Sequence, residues 1–135
     1  MKKLLLLVLL PLFISCSNNK IVGTWQEEES SAGALSFLGI NIVSKNTYSD
    51  NGDYLSKQEW RQVIDGEKKS LYYEVSGTWE MLDDKHLRVK TTTMTNEEGT
   101  KENVTDNIFN ILRLDDEELI IESKNITTKF RRVNR

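Results

Sequence analysis

Turn-forming motifs divide the chain, from about residue 20 onward, into eight short segments. Asn51-Gly52 and Asp65-Gly66 are strong hairpin signals because these residue types tolerate a positive φ angle. Between the turns apolar and polar side chains alternate, and helical periodicity is hard to find. The single proline, Pro11, lies outside this region. The segments predicted to be strands are about 20–27, 40–49, 53–63, 69–81, 86–95, 100–113, 118–124 and 126–133.

Short strands separated by turns at this spacing predict an all-β antiparallel meander, either a sandwich or a barrel. Alternation then assigns the faces of each strand. Lys57, Glu59 and Arg61 share a face that must be exposed to water, so Tyr54 and Trp60 point the other way. The later positions predicted to point inward are Leu71, Tyr73, Val75, Gly77, Trp79, Leu87, Val89, Thr91, Thr93, Leu119, Ile121, Ile126, Thr128, Phe130 and Arg132. The faces of "NIFNIL" (107–112) stay unassigned, because its apolar residues are consecutive.

The predicted interior mixes aromatic residues with Ser, Gln and Thr. Such faces suit a barrel that keeps a cavity or trapped water. The alternative is that these polar groups satisfy one another near the barrel ends. The residues predicted to line a ligand cavity are Tyr54, Trp60, Tyr73, Trp79, Thr91 and Phe130. A glycine within a strand, Gly77, indicates a bulge or a close backbone approach, with Trp79 filling the space beside it.

The N-terminal residues predict where the protein is located in the cell. Two lysines precede an apolar run, 4–14, that is too short to cross about 30 Å of hydrocarbon as a helix. Residues 1–15 therefore form a predicted signal peptide, 16–20 a lipidated tether and 21–135 one domain. Cys16 is the only cysteine and ends "FISC", which resembles a bacterial lipobox; a thiolate can accept the lipid, and acyl chains such as palmitate then hold the protein on a membrane. The alternative is an ordinary signal peptide with a stray cysteine.

Charge and composition exclude several functions. Removing residues 1–15 removes two lysines and no acid, which takes the net charge from −3 to −5. This balance argues against nucleic acid as a partner. One histidine, His86, and no free thiol exclude a zinc site of known spacing. No nucleophile elbow or phosphate loop is present, so we predict no enzyme activity, no metal and no cofactor.

"KIVGTW" (20–25), in the first strand of a secreted antiparallel chain, resembles the Gly-x-Trp motif that opens lipocalins. The closer likeness is to the lipocalin-like lipoproteins of the Bacteroidetes. These share the lipobox, "VGTW" soon after it, a Y-x-x-x-G-x-W strand and a last strand that ends like "KFRRV". Here the middle motif is Tyr73, Gly77 and Trp79. The resemblance covers about residues 20–133 and implies an eight-stranded up-and-down barrel.

The resemblance also implies roles for particular residues. Trp25 is expected at the closed end of the barrel, covered by the guanidinium of Arg132, with Arg131 as the alternative. The loop between the first two strands is expected over the barrel mouth. Residues 30–39 are apolar in the middle, at Ala34, Leu35, Phe37 and Leu38. They predict a lid or a patch for an envelope protein partner; the alternative is a loop that packs on the barrel.

Together these features predict a membrane-anchored lipocalin-like lipoprotein that binds a small hydrophobic or amphipathic ligand in its barrel. The alternative is a non-enzymatic interaction module, such as an inhibitor or accessory lipoprotein of the cell envelope. Ser17 stands where an inner-membrane retention signal has aspartate, which favours the outer membrane. No acidic cluster follows it, which favours the periplasmic face.

Overall fold

The computed structural model describes residues 20–28 and 39–134. Its eight strands are β1 Gly23–Glu27, β2 Ile40–Tyr48, β3 Asp53–Ile64, β4 Glu67–Met81, β5 His86–Asn96, β6 Gly99–Leu114, β7 Glu118–Ser123 and β8 Ile126–Asn134. All eight predicted strands are confirmed. The first begins at Gly23 and not at about residue 20. In the described ranges, no helix is long and apolar enough to cross a membrane.

Each strand pairs antiparallel with the next, and β8 pairs with β1, so the sheet is a closed up-and-down barrel. Of the two predicted architectures, the barrel is therefore the one that forms. Two of the hairpins have two-residue turns in which both residues have a positive φ: 53° and 80° at Asp65 and Gly66, and 52° and 65° at Lys124 and Asn125. This turn matches the right-handed twist of the strands it joins.

One end of the barrel is filled with apolar side chains, and we call it the closed end. The β2–β3, β4–β5 and β6–β7 turns lie there. The buried residues of this core are Ile21, Trp25, Tyr48, Trp79, Leu87, Val89, Leu119, Ile121 and Phe130. The ring of Trp79 meets Tyr48 edge-on at 5.8 Å, and its Nε1 donates a 2.8 Å hydrogen bond to the Ser49 carbonyl. The indole thus fills the core and also satisfies a turn.

Arg132 and Trp25 seal the closed end. The Cζ of Arg132 lies 4.2 Å from the ring centroid of Trp25, which is the contact that the sequence analysis expected for this pair. Trp25 is fully buried and donates from Nε1 to the Ile21 carbonyl at 2.9 Å. Arg132 donates from Nε and Nη1, at 2.8 Å each, to the carbonyls of Asp116 and Val22. One guanidinium therefore joins the chain before β1, the β6–β7 turn and β8.

Bulges shift the face assignment along β5 and β6. A Cβ on Gly77 would lie 1.8 Å from the Lys90 carbonyl oxygen, so the close backbone approach, one of the two predicted explanations for this glycine, is confirmed, and the β4–β5 register also shifts there. Beyond this shift Thr93 pairs with Ser76, and their hydroxyls lie 2.6 Å apart on the outer face. The prediction that Thr93 points inward is therefore wrong. An irregularity between Ile111 and Arg113 likewise interrupts the alternation in "NIFNIL".

Substituting Arg132 with lysine tests the seal. A lysine amine cannot stack flat on the indole or reach the separate carbonyls, so we expect Arg132→Lys to lower the free energy of unfolding by about 2 kcal/mol. Urea denaturation measures this loss. Arg131→Lys is the matched control: Arg131 forms an exposed ion pair with Glu28, so its change is expected to stay within about 0.5 kcal/mol. Equal losses in both variants would contradict the assigned role.

Candidate functional site

The inward faces of β2 and β3 change in chemistry from one barrel end to the other. Tyr48 and Tyr54 lie at the closed end, with ring centroids 5.3 Å apart. Small or polar side chains occupy the next positions, and apolar ones return at the opposite end, which we call the open end. The polar inward residues are Ser44, Asn46, Ser56 and Gln58, and the inward residues of the open end are Ile40, Ile42, Trp60 and Gln62.

The middle layer is polar although it is largely buried. Ser56 is 1% exposed and accepts a hydrogen bond from Gln58 Nε2 at 3.3 Å. The Oε1 of Gln58 in turn accepts from Trp60 Nε1 at 3.1 Å. Across the barrel, the hydroxyl of Thr91 donates to the Asn103 carbonyl at 3.0 Å. The Oδ1 of Asn46 is buried and accepts no hydrogen bond from any described residue, and such an orphan acceptor costs about 1–3 kcal/mol.

Glu27 adds an acidic group to this layer. Two positions after Trp25 on β1, its Oε2 accepts hydrogen bonds from the Ser44 backbone N–H at 2.9 Å and from the Ser44 hydroxyl at 3.0 Å. Burial raises the pKa of Glu27, although both bonds from Ser44 act in the opposite direction. The barrel thus holds a carboxyl group that is harder to ionise than one in water.

Apolar side chains at the open end remain partly exposed. The rings of Trp60 and Tyr73 pack at 5.2 Å with a 55° tilt. Leu71 is opposite Trp60 on β4 and points inward by alternation, yet it is 45% exposed. Ile126, which starts β8 on the inward face, is 44% exposed. An apolar rim above a polar floor can accept a molecule that has both kinds of surface.

The six residues predicted to line a cavity lie in different layers. Trp60 and Tyr73 are together at the open end. Trp79 and Phe130 are buried in the closed-end core, with Tyr54 packed against it. Thr91 is buried in the polar layer. The structure therefore brings Trp60 and Tyr73 into one site and separates the other four from it, and whether any of them binds a ligand stays a prediction.

A cavity of about 780 Å³ lies against the outer wall and not inside the barrel. Most of its lining side chains alternate with the buried inward ones and point away from the barrel axis, whereas Glu27, Gln58 and Tyr73 border it from the inward-facing positions. Of the predicted ligand residues, Tyr73 is the only one that borders it among the described residues. We call it the outer-wall cavity; the residues that define it are Val43, Lys45, Lys57, Glu59, Tyr72 and Glu74.

Sequence reasoning missed Glu27 and the outer-wall cavity. Alternation from Trp25 would have placed Glu27 inward, but β1 is only five residues long and gave little pattern. His86 lies at the closed end, with Nδ1 2.8 Å from the Asp83 carboxylate, in a partly exposed turn. Within the described part of the chain, no group of three or more His, Cys, Asp or Glu side chains could hold a metal ion.

Comparison with known proteins does not assign the chain to a family. No family model matches the chain, and no curated protein matches it significantly. The predicted signal peptide (1–15) and the lipidation residue Cys16 lie outside the described residues, as does the predicted loop 30–39 apart from Gly39. Their predicted roles therefore stay predictions.

The raised pKa of Glu27 predicts how stability depends on pH. A group whose pKa is higher in the folded state stabilises the fold below its unfolded pKa, about 4.3 for glutamate, and this contribution is lost as pH rises through the folded pKa. Glu27→Gln mimics the protonated group at every pH. We expect the melting temperature of the variant to match that of the native protein near pH 4 and to exceed it by a few degrees at pH 7.

Thermal unfolding followed by circular dichroism across this pH range checks the prediction. Glu98→Gln is the control, because the Glu98 side chain is 79% exposed in the β5–β6 turn. A Glu27→Gln variant that loses stability at pH 7 while matching the native protein at pH 4 would contradict the assignment.

Proposed function

We propose that this protein is a membrane-anchored, lipocalin-like lipoprotein that binds a small amphipathic molecule at the open end of its barrel. The apolar part of the ligand packs against Trp60, Leu71 and Tyr73. Its polar group faces the buried layer that contains Asn46 and Glu27. The protein acts as a binding protein and not as an enzyme.

The observation that carries this proposal is the pairing of a half-exposed apolar rim with a buried polar floor. Leu71 and Ile126 point into the barrel but remain nearly half exposed. A ligand that covers such side chains gains about 25 cal/mol for each Å² of apolar surface removed from water. Beneath them, the unpaired acceptor of Asn46 offers a partner for a donor group. The closed end, in contrast, is filled by the Trp25 core.

The anchor belongs to the same proposal. Cys16 is the only thiol of the chain and follows a short apolar run, so acylation there would hold the barrel on a membrane. The outer membrane, on its periplasmic face, is the proposed location, because Ser17 does not match an inner-membrane retention signal.

A titration with N-phenylnaphthylamine, an uncharged fluorescent amphiphile, tests the barrel site. A chain that starts at Ser17 contains every described strand and avoids lipid background. We expect saturable binding, accompanied by loss of Trp60 emission. Trp60→Ala should weaken the probe's Kd at least about fivefold, which is roughly 1 kcal/mol. Ile108→Ala, an exposed apolar position on the outer wall, should leave the Kd unchanged.

The result that would contradict the proposal is a probe that binds both variants equally, or a native protein that does not bind it at all. Circular dichroism of each variant shows that a lost signal does not come from unfolding.

Substituting Cys16 tests the anchor. In the host, the native protein should incorporate labelled palmitate and sediment with membranes. Cys16→Ser should abolish the label and shift the protein to the soluble fraction, because one side chain carries the lipid. Retention of the label in the variant would show that Cys16 is not the acylated residue.

An interaction module is the second candidate function, and the outer face of β6 favours it. Val104, Ile108 and Leu112 lie on that face with Asp106 and Asn110 between them, and each is more than half exposed. Exposed apolar side chains of this kind can contribute to protein contacts. A native barrel that binds no amphiphile would make this function the better supported one.

A further inference from the structure

The outer-wall cavity has the size of a small-molecule site. Its volume of about 780 Å³ falls within the range of about 300–1,000 Å³ that such sites occupy. It extends from Gln26 on β1 across β2, β3 and β4 to Thr95 on β5, whereas the rings of Trp60 and Tyr73 meet inside the barrel. The cavity shares Tyr73 with the open-end site, but its two lysines, Lys45 and Lys57, lie on the opposite face of the strands, so this inference does not depend on the proposed function.

Two lysines face each other in this cavity. Lys45 on β2 is directly opposite Lys57 on β3. Like charges in this position on neighbouring strands repel one another and destabilise the sheet. Neither amine forms an ion pair with any residue that the structure describes. A pair of uncompensated amines at one point of a cavity provides the charge that a phosphate or carboxylate requires.

Four carboxylates border the cavity, those of Glu27, Glu59, Glu74 and Glu97. Glu27 accepts hydrogen bonds from Ser44, and Glu59 is also occupied. Glu59 Oε2 lies 3.2 Å from Arg61 Nη2, and its Oε1 accepts a 3.1 Å hydrogen bond from Ser70. The hydrogen bond from Arg61, with those from Ser70 and Tyr72, holds the pKa of Glu59 below its ordinary value. The negative charge of Glu59 is therefore already paired with Arg61. Glu74 stands on the far side of Lys57, in register with it on β4, and forms no ion pair with it.

An apolar surface lies next to the two amines. Tyr72 is 60% exposed and stands opposite Glu59 on β4. Val43 stands opposite Glu59 on the other side, on β2. The side chains of Val43 and Tyr72 thus lie on either side of Glu59. Lys45 and Lys57 are the neighbouring pair of outward-facing residues on β2 and β3. Burying a half-exposed tyrosine ring would favour a ligand with an apolar body.

We propose that the outer-wall cavity binds an amphiphile with a phosphate or carboxylate headgroup. The headgroup sits between the amines of Lys45 and Lys57, and the apolar body covers Tyr72 and Val43. The molecule is either a free amphiphile or an anionic lipid of the bilayer that the anchor holds nearby.

Lysine footprinting tests this site on the whole protein. The protein, purified from its host, is placed in phosphatidylcholine nanodiscs and treated with formaldehyde and cyanoborohydride, and dimethylation of each lysine is measured by peptide mass spectrometry. Adding decyl phosphate should slow the labelling of Lys45 and Lys57 several-fold. Lys85 and Lys124, in exposed turns away from the cavity, are internal controls and should label at unchanged rates.

Charge and shape are tested separately. Decyltrimethylammonium, with the same tail and a cationic head, should not protect either lysine. Tyr72→Ala should raise the concentration of decyl phosphate needed for half protection several-fold, whereas Ile108→Ala should not. Protection of Lys45 and Lys57 in nanodiscs that contain phosphatidylglycerol, before any probe is added, assigns the site to a bilayer lipid; protection only by added decyl phosphate assigns it to a free amphiphile.

Equal protection by the cationic amphiphile, or no greater protection of Lys45 and Lys57 than of the control lysines, would overturn the proposal. Trp60→Ala should leave the protection unchanged, so a failure here is distinct from a failure of the open-end site.

Discussion

The stack of Arg132 on Trp25 is the contact on which closure of the barrel depends. Strand β1 has only five residues, so the seam that it forms with β8 is short. The guanidinium compensates by donating to carbonyls before β1 and in the β6–β7 turn, while its plane covers the buried indole. Several otherwise unsatisfied carbonyls are thereby paired at one point. With this end sealed and packed, the rest of the interior need not be apolar.

The distribution of apolar and polar side chains along the barrel follows from the packing of its closed end. Apolar burial is concentrated around Trp25 and Trp79, so the middle layer can hold polar groups such as Asn46 and the carboxyl of Glu27, although these cost stability. The open end then presents Trp60 with its apolar neighbours to the solvent. A filled end, a polar floor and a half-exposed apolar rim form a gradient that suits an amphipathic molecule entering from one side. The outer-wall cavity lies on the other face of the same strands, where a different group of side chains meets.

Turn chemistry made most of this fold predictable from sequence. A two-residue turn at Asp65-Gly66 fixes the register of β3 and β4, which places Trp60 opposite Leu71 and beside Tyr73. Bulges could not be placed in the same way, because they depend on how closely the backbones of two strands approach. The wrong prediction that Thr93 points inward follows from such a bulge. The facing lysines of the outer-wall cavity, Lys45 and Lys57, required the register across the Asn51-Gly52 turn together with the faces of both strands. Which polar groups remain unpaired inside could not be read from residue types alone.

Quenching of tryptophan fluorescence by acrylamide shows whether the barrel is sealed at one end and open at the other. Trp25 and Trp79 are buried in the closed-end core, whereas Trp60 lies at the open end. With one end sealed, acrylamide should quench the native protein chiefly through Trp60, so that Trp60→Phe loses most of the quenching. If the Trp60→Phe protein is quenched as strongly as the native one, acrylamide reaches Trp25 or Trp79, and the closed end is not sealed.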